Sequence, residues 1–268
     1  EDLLPYLVRR LLENGANSSF VNRFLDDNAP LDDLIKDIIA DISRRTHYRH
    51  PHIPMPAELY LGETRPRLNS KGYDLDDDAQ LGLLVNAIEQ QRKVVFEAKT
   101  LVAGYPQKGE SAAISNPNSF ADIVGNITFA STEAIEEALL TTHGFQQQWQ
   151  DFGASGRGDI LEAWANNLEA NTPELVGIIS REAGRTLGDC IDEIREAVDF
   201  CRYYANQAQT PEYFNGKALG TVFCVSPWNF PLAIFVGQVS AALAAGNCVI
   251  AKPAEQTPTV ATRAIELL

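Results

Sequence analysis

Residues 220–258 read GTVFCVSPWNFPLAIFVGQVSAALAAGNCVIAKPAEQTP, and this stretch constrains the fold more than any other. Two β-rich runs each empty into a turn punctuated by proline. Between them lies one helix-length rich in Ala and Gly, small enough for a helix to sit close against a sheet. Strand, turn, helix, strand, turn, helix is the order of an α/β nucleotide-binding domain. Open sheets of that kind bind ligands beyond the carboxyl ends of their strands, where both turns fall.

Each turn carries groups suited to chemistry. Pro227 and Pro231 fix the backbone on either side of Trp228, Asn229 and Phe230. An Asn amide held there is a suitable donor to a developing oxyanion, worth about 3 kcal/mol of transition-state stabilisation. The alternative is an Asn that satisfies the turn backbone, with Trp228 and Phe230 in the core. In the second turn Lys252 donates and Glu255 accepts, a pair that suits the adjacent hydroxyls of a ribose. The alternative there is a solvated loop ion pair.

The rest of the chain reads as helices with few strands. Helical spacing of leucines covers residues 1–12 and stops at Asn14-Gly15. A short helix over 20–25 and another over 30–42 are expected, then an irregular stretch over 47–56 holding His47, His50 and His52. Three histidines among prolines without fixed geometry make no metal site. Loop is expected over 59–72, one long helix over 74–102, a turn-rich connector over 111–118 and a strand over 123–130. Helices follow over 131–143, 156–171, 172–182 and 187–207.

The net charge of −14 argues against a nucleic-acid surface. Four cysteines without CxxC spacing read as reduced, buried thiols of a cytoplasmic protein. No run reaches the length of a membrane span.

VSPWNFPL followed by AAGNCVIAKPAEQTP resembles the aldehyde dehydrogenase superfamily. The resemblance implies the N-terminal part of a Rossmann-like NAD-binding domain, with Asn229 as half of an oxyanion hole. It implies that Val225, Ser226, Pro227 and Trp228 line the nicotinamide end of NAD, that Lys252 and Glu255 hold the adenosine ribose, and that Phe230 flanks the aldehyde tunnel. The family's Gly-rich cofactor turn, general-base Glu and nucleophilic Cys are expected beyond Leu268. Neither Cys224 nor Cys248 is promoted to nucleophile.

At the other end, YLVRRLLENG sets Tyr6, Arg9, Arg10 and Glu13 three or four residues apart on a helix. An Arg fork there can clamp an amino acid's carboxylate, or the residues form a charged helix surface. YLVRRLLENGANSSFVN resembles the last barrel helix of proline dehydrogenase, a flavin-dependent (βα)8 barrel. That resemblance implies Arg9 and Arg10 on the proline carboxylate, Tyr6 against the substrate ring beside FAD, and Glu13 in the same polar cluster.

The two ends together resemble the proline utilization A family, in which proline is oxidised to pyrroline-5-carboxylate with FAD and glutamate semialdehyde to glutamate with NAD. The organisation implied is α/β throughout: a proline dehydrogenase tail over 1–45, a linker and connecting helix over 46–110, and the start of an aldehyde dehydrogenase domain over 111–268. The chain is expected to be an interior piece of a longer polypeptide and inactive alone. The resemblance implies a homo-oligomer of the longer protein, and leaves room for peripheral membrane contact in passing electrons to quinone. Two readings of other classes stay open: a monofunctional aldehyde dehydrogenase with a helical extension, and a non-catalytic linker or oligomerisation module.

Overall fold

The leucine-spaced N-terminus forms α1 (Leu3–Gly15), ending at Asn14-Gly15 as the sequence predicts. The computed structural model describes residues 3–15, 24–26, 28, 30, 32, 35, 37–46, 53–62, 65–210 and 216–268, with Leu3, Glu13, Asn14, Gly15 and Ile38 given by backbone alone. The chain divides into two units, Glu1–Ile53 and Pro54–Leu268. Beyond α1, the first unit contains α2 (Ile38–Ser43), whose first amides donate to Asp37 Oδ1 at 3.0 Å. Most of the helix expected over 20–25, and His47, His50 and His52, lie outside the described residues.

In the second unit the single helix expected over 74–102 is three elements. Helix α3 (Asp78–Gln91) starts on the Asp77 side chain and gives way to β1 (Phe96–Lys99) and β2 (Leu101–Val102). Two causes end it. The buried Arg181 guanidinium donates to the carbonyls of Gln91 and Val94, both at 2.9 Å, closing the helix terminus. The β-branched and aromatic run Val94-Val95-Phe96 then enters a sheet, a packing surface that suits it better than a helix. A tight Ala103-Gly104 turn with positive φ at both residues joins β2 to β3 (Tyr105–Pro106).

The connector expected over 111–118 is instead a strand, β4 (Ser111–Asn116), paired antiparallel with β5 (Ser119–Thr128). Pro117 and Asn118 make the hairpin turn, with the Asn118 amide on Asn116 Oδ1 at 2.9 Å. Ser and Ala in β4 hid it, because their preference for strands is weak and pairing with β5 overrides it. Strand β1 runs parallel to β5 on its other side.

Four helices follow. Helix α4 (Thr132–Asp151), capped by Ser131, runs eight residues past its expected end at His143. Helices α5 (Gly153–Ala170), α6 (Thr172–Glu182) and α7 (Leu187–Gln209) form the helical layer. Trp164, Leu168, Leu175, Ile179, Ile194 and Val236 are among the fully buried side chains where this layer meets the α/β end of the chain. Buried Arg202 of α7 ties α5 through Glu169 Oε2 at 3.2 Å and Asn166 Oδ1 at 3.0 Å.

The last elements are β6 (Thr221–Val225), α8 (Ala233–Ala244), β7 (Cys248–Lys252) and α9 (Pro258–Glu266), in the order the sequence predicts. Strands β6 and β7 pair in parallel through the α8 crossover. Side chains of α4 and α5 hold the α8–β7 corner: Trp149 Nε1 donates to Leu243 O at 3.2 Å and Arg157 Nε to Ala244 O at 3.1 Å. Trp164 Nε1 donates to Ala264 O at 2.8 Å, closing α9.

Candidate active site

The parallel register of β6 and β7 runs from Thr221 opposite Cys248 to Val225 opposite Lys252. The Ser226 amide adds one more rung, donating to Lys252 O at 3.2 Å. Val225, Ser226 and Lys252 therefore share the carboxyl edge of the two strands, and both turns leave from that edge. Ser226 is buried, and its Oγ has no hydrogen-bond partner among the described residues.

The turn after β6 is held from beneath by two residues that sequence reading did not single out. Glu193 of α7 is buried, and its Oε1 accepts from the amides of Leu232 at 2.8 Å and Ala233 at 3.3 Å. It neutralises the positive start of α8. Arg185, on the corner between α6 and α7, donates from Nη1 to the Asn229 carbonyl. Its guanidinium lies 4.6 Å from the centroid of the Phe230 ring, and its Nε is 3.7 Å from Glu193 Oε2. Burial raises the Glu193 carboxyl, against the two amides and the Arg185 charge.

Asn229 itself is exposed, and its side-chain amide makes no hydrogen bond among the described residues. It satisfies no turn backbone. Trp228 is 57% exposed and Phe230 38%, so neither is a core aromatic in this chain.

The turn after β7 is open. Lys252 Nζ lies 3.6 Å from Glu255 Oε2 and 3.1 Å from Pro253 O, and both side chains are more than half exposed. The loop ion pair exists, and its donor and acceptor stand at a spacing that also fits adjacent hydroxyls. Helix α9 behind it starts on a second buried carboxylate, Glu182 of α6, which accepts from Thr259 N at 2.6 Å and Val260 N at 3.0 Å. Burial pushes that carboxyl up to about 7, against those two donors and the Thr259 side chain. Both helix N-termini at this edge are therefore already met by protein carboxylates, so neither α8 nor α9 offers its dipole to a bound anion.

All four cysteines are free and buried. Burial pushes the Cys190 thiol up to about 12, helped by the Glu193 charge, and raises the other three. None has the lowered pKa of a nucleophile. No cluster of metal-ligating side chains exists among the described residues, and no helix among them is long and apolar enough to cross a membrane. On α1, the Arg10 guanidinium sits over the Tyr6 ring at 5.5 Å, one helical turn away. Tyr6, Arg9 and Arg10 are exposed within that helix, and the Glu13 side chain lies outside the described residues.

The profile of the aldehyde dehydrogenase family matches residues 105–268, and that of proline dehydrogenase residues 1–23. The chain is 43% identical over 276 residues to the bifunctional protein PutA of Escherichia coli, covering 100% of this chain and 21% of that protein. It thus spans about a fifth of the length of the curated bifunctional relatives it matches. Among solved structures, proline utilization A from Bdellovibrio bacteriovorus, inactivated by N-propargylglycine, superposes with a TM-score of 0.75 at 29% identity, over 98% of this chain and 28% of that one. A 1-pyrroline-5-carboxylate dehydrogenase from Thermus with bound NAD gives 0.72 at 25% identity, over 76% of this chain and 43% of that one. With the βαβ unit, the braced Asn turn and a profile covering more than half of its length in agreement, the chain belongs to the aldehyde dehydrogenase family.

Proposed function

We propose that this chain is part of a bifunctional proline-catabolising oxidoreductase. Such an enzyme oxidises proline to pyrroline-5-carboxylate with FAD, and glutamate semialdehyde to glutamate with NAD. The observation that carries the reading is the joining, on one chain, of a proline dehydrogenase match at residues 1–23 to an aldehyde dehydrogenase match at 105–268. The reading keeps residues 1–45 as the barrel tail, 46–110 as linker and 111–268 as the start of the aldehyde domain. It includes a cytoplasmic, homo-oligomeric longer protein acting on small molecules.

The carboxyl edge fits NAD: Lys252 and Glu255 would hold the adenosine ribose, and Val225 to Trp228 the nicotinamide end, with the orphaned Ser226 Oγ available to a ligand. NAD supplies the hydride acceptor when bound. The chain's own contribution to the chemistry is Asn229, whose unengaged amide donates to an oxyanion that exists only in the transition state. Tyr6, Arg9, Arg10 and Glu13 would meet proline, and Phe230 the aldehyde. The FAD of this reading finds no holding set on α1 alone, so no step is derived through it.

The test is Asn229→Ala in a protein spanning the full length of the curated relatives. The expected outcome is a loss on the order of 10²–10³ in kcat for aldehyde oxidation with NAD binding retained. A folded variant with normal kcat refutes Asn229 as the donor. A flavin absorbance band in that protein separates the bifunctional reading from a monofunctional aldehyde dehydrogenase. This chain by itself is expected to turn over neither substrate: all four of its thiols are buried with none poised as a thiolate to attack the aldehyde, and α1 alone offers no set of residues to hold the FAD that proline oxidation needs.

A further inference from the structure

Arg185 sits where two rigid elements and the Asn229 turn converge. Gly184 before it has φ +67° and closes α6, and a Cβ there would stand 3.1 Å from Pro117 Cγ. Thr186 after it caps α7, accepting the Asp189 amide at 3.3 Å. The arginine backbone is thus fixed from both sides. From this corner the guanidinium makes three kinds of contact. It donates to the Asn229 carbonyl, lies over the Phe230 ring at 4.6 Å, and faces Glu193 Oε2 at 3.7 Å and Asp189 Oδ1 at 3.9 Å.

Two carboxylates offset its charge, and 18% of its side chain is exposed. Its planar fork is committed to the turn, a geometry a lysine cannot reproduce. Holding the carbonyl of residue 229 fixes the peptide plane that follows Asn229. Holding the ring of residue 230 fixes the next side chain. Together they fix the backbone from which the Asn229 side chain projects.

We propose that Arg185 is a positioning residue for aldehyde oxidation, aiming the Asn229 amide by bracing the turn that carries it. The inference rests on the reading of Asn229 as oxyanion donor. Preorganised donors owe their effect to being held before the charge develops, so loosening the brace removes transition-state stabilisation while leaving cofactor binding in place.

The test uses the protein of full relative length and the variants Arg185→Met, Arg185→Lys and Arg185→Met/Asn229→Ala, each checked for folding by circular dichroism. Arg185→Met is expected to lower kcat for the aldehyde roughly 10- to 100-fold with KM for NAD unchanged. Arg185→Lys, which keeps the charge and loses the fork, should fall between it and the parent. The double variant should be no slower than Asn229→Ala alone, because the two act as one unit. An unchanged kcat in Arg185→Met, or losses that multiply in the double variant, overturns the proposal.

In parallel, 5-fluorotryptophan labelling of this 268-residue chain gives a 19F resonance for each of its three tryptophans, Trp149, Trp164 and Trp228. Arg185→Met is expected to shift the Trp228 line and leave the other two in place. If Asn229→Ala proves harmless, the oxyanion reading fails by itself, and the Trp228 line still judges the brace. An unmoved line overturns it.

Discussion

The turn after β6 and the turn after β7 leave the same strand edge, and each begins a helix whose first amides donate to a buried glutamate of the helical layer. Beneath the first turn, Glu193 has the Arg185 guanidinium 3.7 Å away. Beneath the second, Glu182 has no cationic partner among the described residues, and burial pushes it up to about 7. Above them the contrast continues. Asn229 and Phe230 are tied down by Arg185, whereas Lys252 and Glu255 contact their own turn and solvent. A donor to a transient charge must be fixed in advance, whereas a clamp on a cofactor's far end can close when the ligand arrives.

The comparison breaks most visibly in stability. Glu193→Ala orphans two amides and strands Arg185 beside Asp189, and is expected to cost about 3–4 kcal/mol in urea unfolding at pH 7. Glu182→Ala also orphans two amides but strands no partner, and about 2 kcal/mol is expected. Equal losses would mean that the Arg185 contact to Glu193 carries no energy of its own.

Acidity sharpens the difference next. Glu182 is raised from 4.5 in the unfolded chain to about 7 in the folded one, so the folded state holds its proton more tightly. Its contribution is therefore fully present below about pH 4.5, falls as pH rises towards about 7, and is level above that. The fall is on the order of 3–4 kcal/mol, because a tenfold change in proton affinity corresponds to about 1.4 kcal/mol. Glu182→Gln keeps an acceptor for one amide and removes the titration. The difference in stability between parent and variant, measured from pH 5 to 8, should move in the variant's favour as pH rises. A flat difference refutes the unpaired, protonated cap.

The glutamates also show what could be read from the sequence. Leu175, Ile178, Ile179 and Glu182 recur at i, i+3, i+4 and i+7, as do Cys190, Glu193, Ile194 and Ala197, and all eight are buried. A carboxylate on an apolar stripe was legible as an anomaly, and what it capped was not, because Leu232 and Thr259 lie 39 and 77 residues further on. The βαβ unit was legible because its strands, turns and small-residue helix are local patterns. Strands β1 and β4 were not: Val94-Val95-Phe96 continues a helical stretch, and the Ser and Ala of β4 pair only because β5 is there. Arg185 looked like any charged corner residue until the Asn229 turn folded over it.

The smallest effect is expected at the open turn, and it discriminates best. An exposed ion pair contributes about 0–1 kcal/mol, so Lys252→Ala should leave stability within about 0.5 kcal/mol of the parent. In a protein of full relative length the same change should raise KM for NAD about tenfold, since one charge-assisted contact is lost at a solvent-exposed site. At saturating NAD, kcat should hold, because the contact is to the adenosine end and is the same in ground and transition states. The loss should also shrink with added salt, as exposed charges are screened over about 10 Å at 0.1 M. Asn229→Ala is expected to show the reverse pattern, a kcat loss with NAD binding intact. If Lys252→Ala lowers kcat at saturating NAD instead, the two turns do not divide binding from chemistry. The contrast between a braced turn and an open one would then describe only how each helix begins.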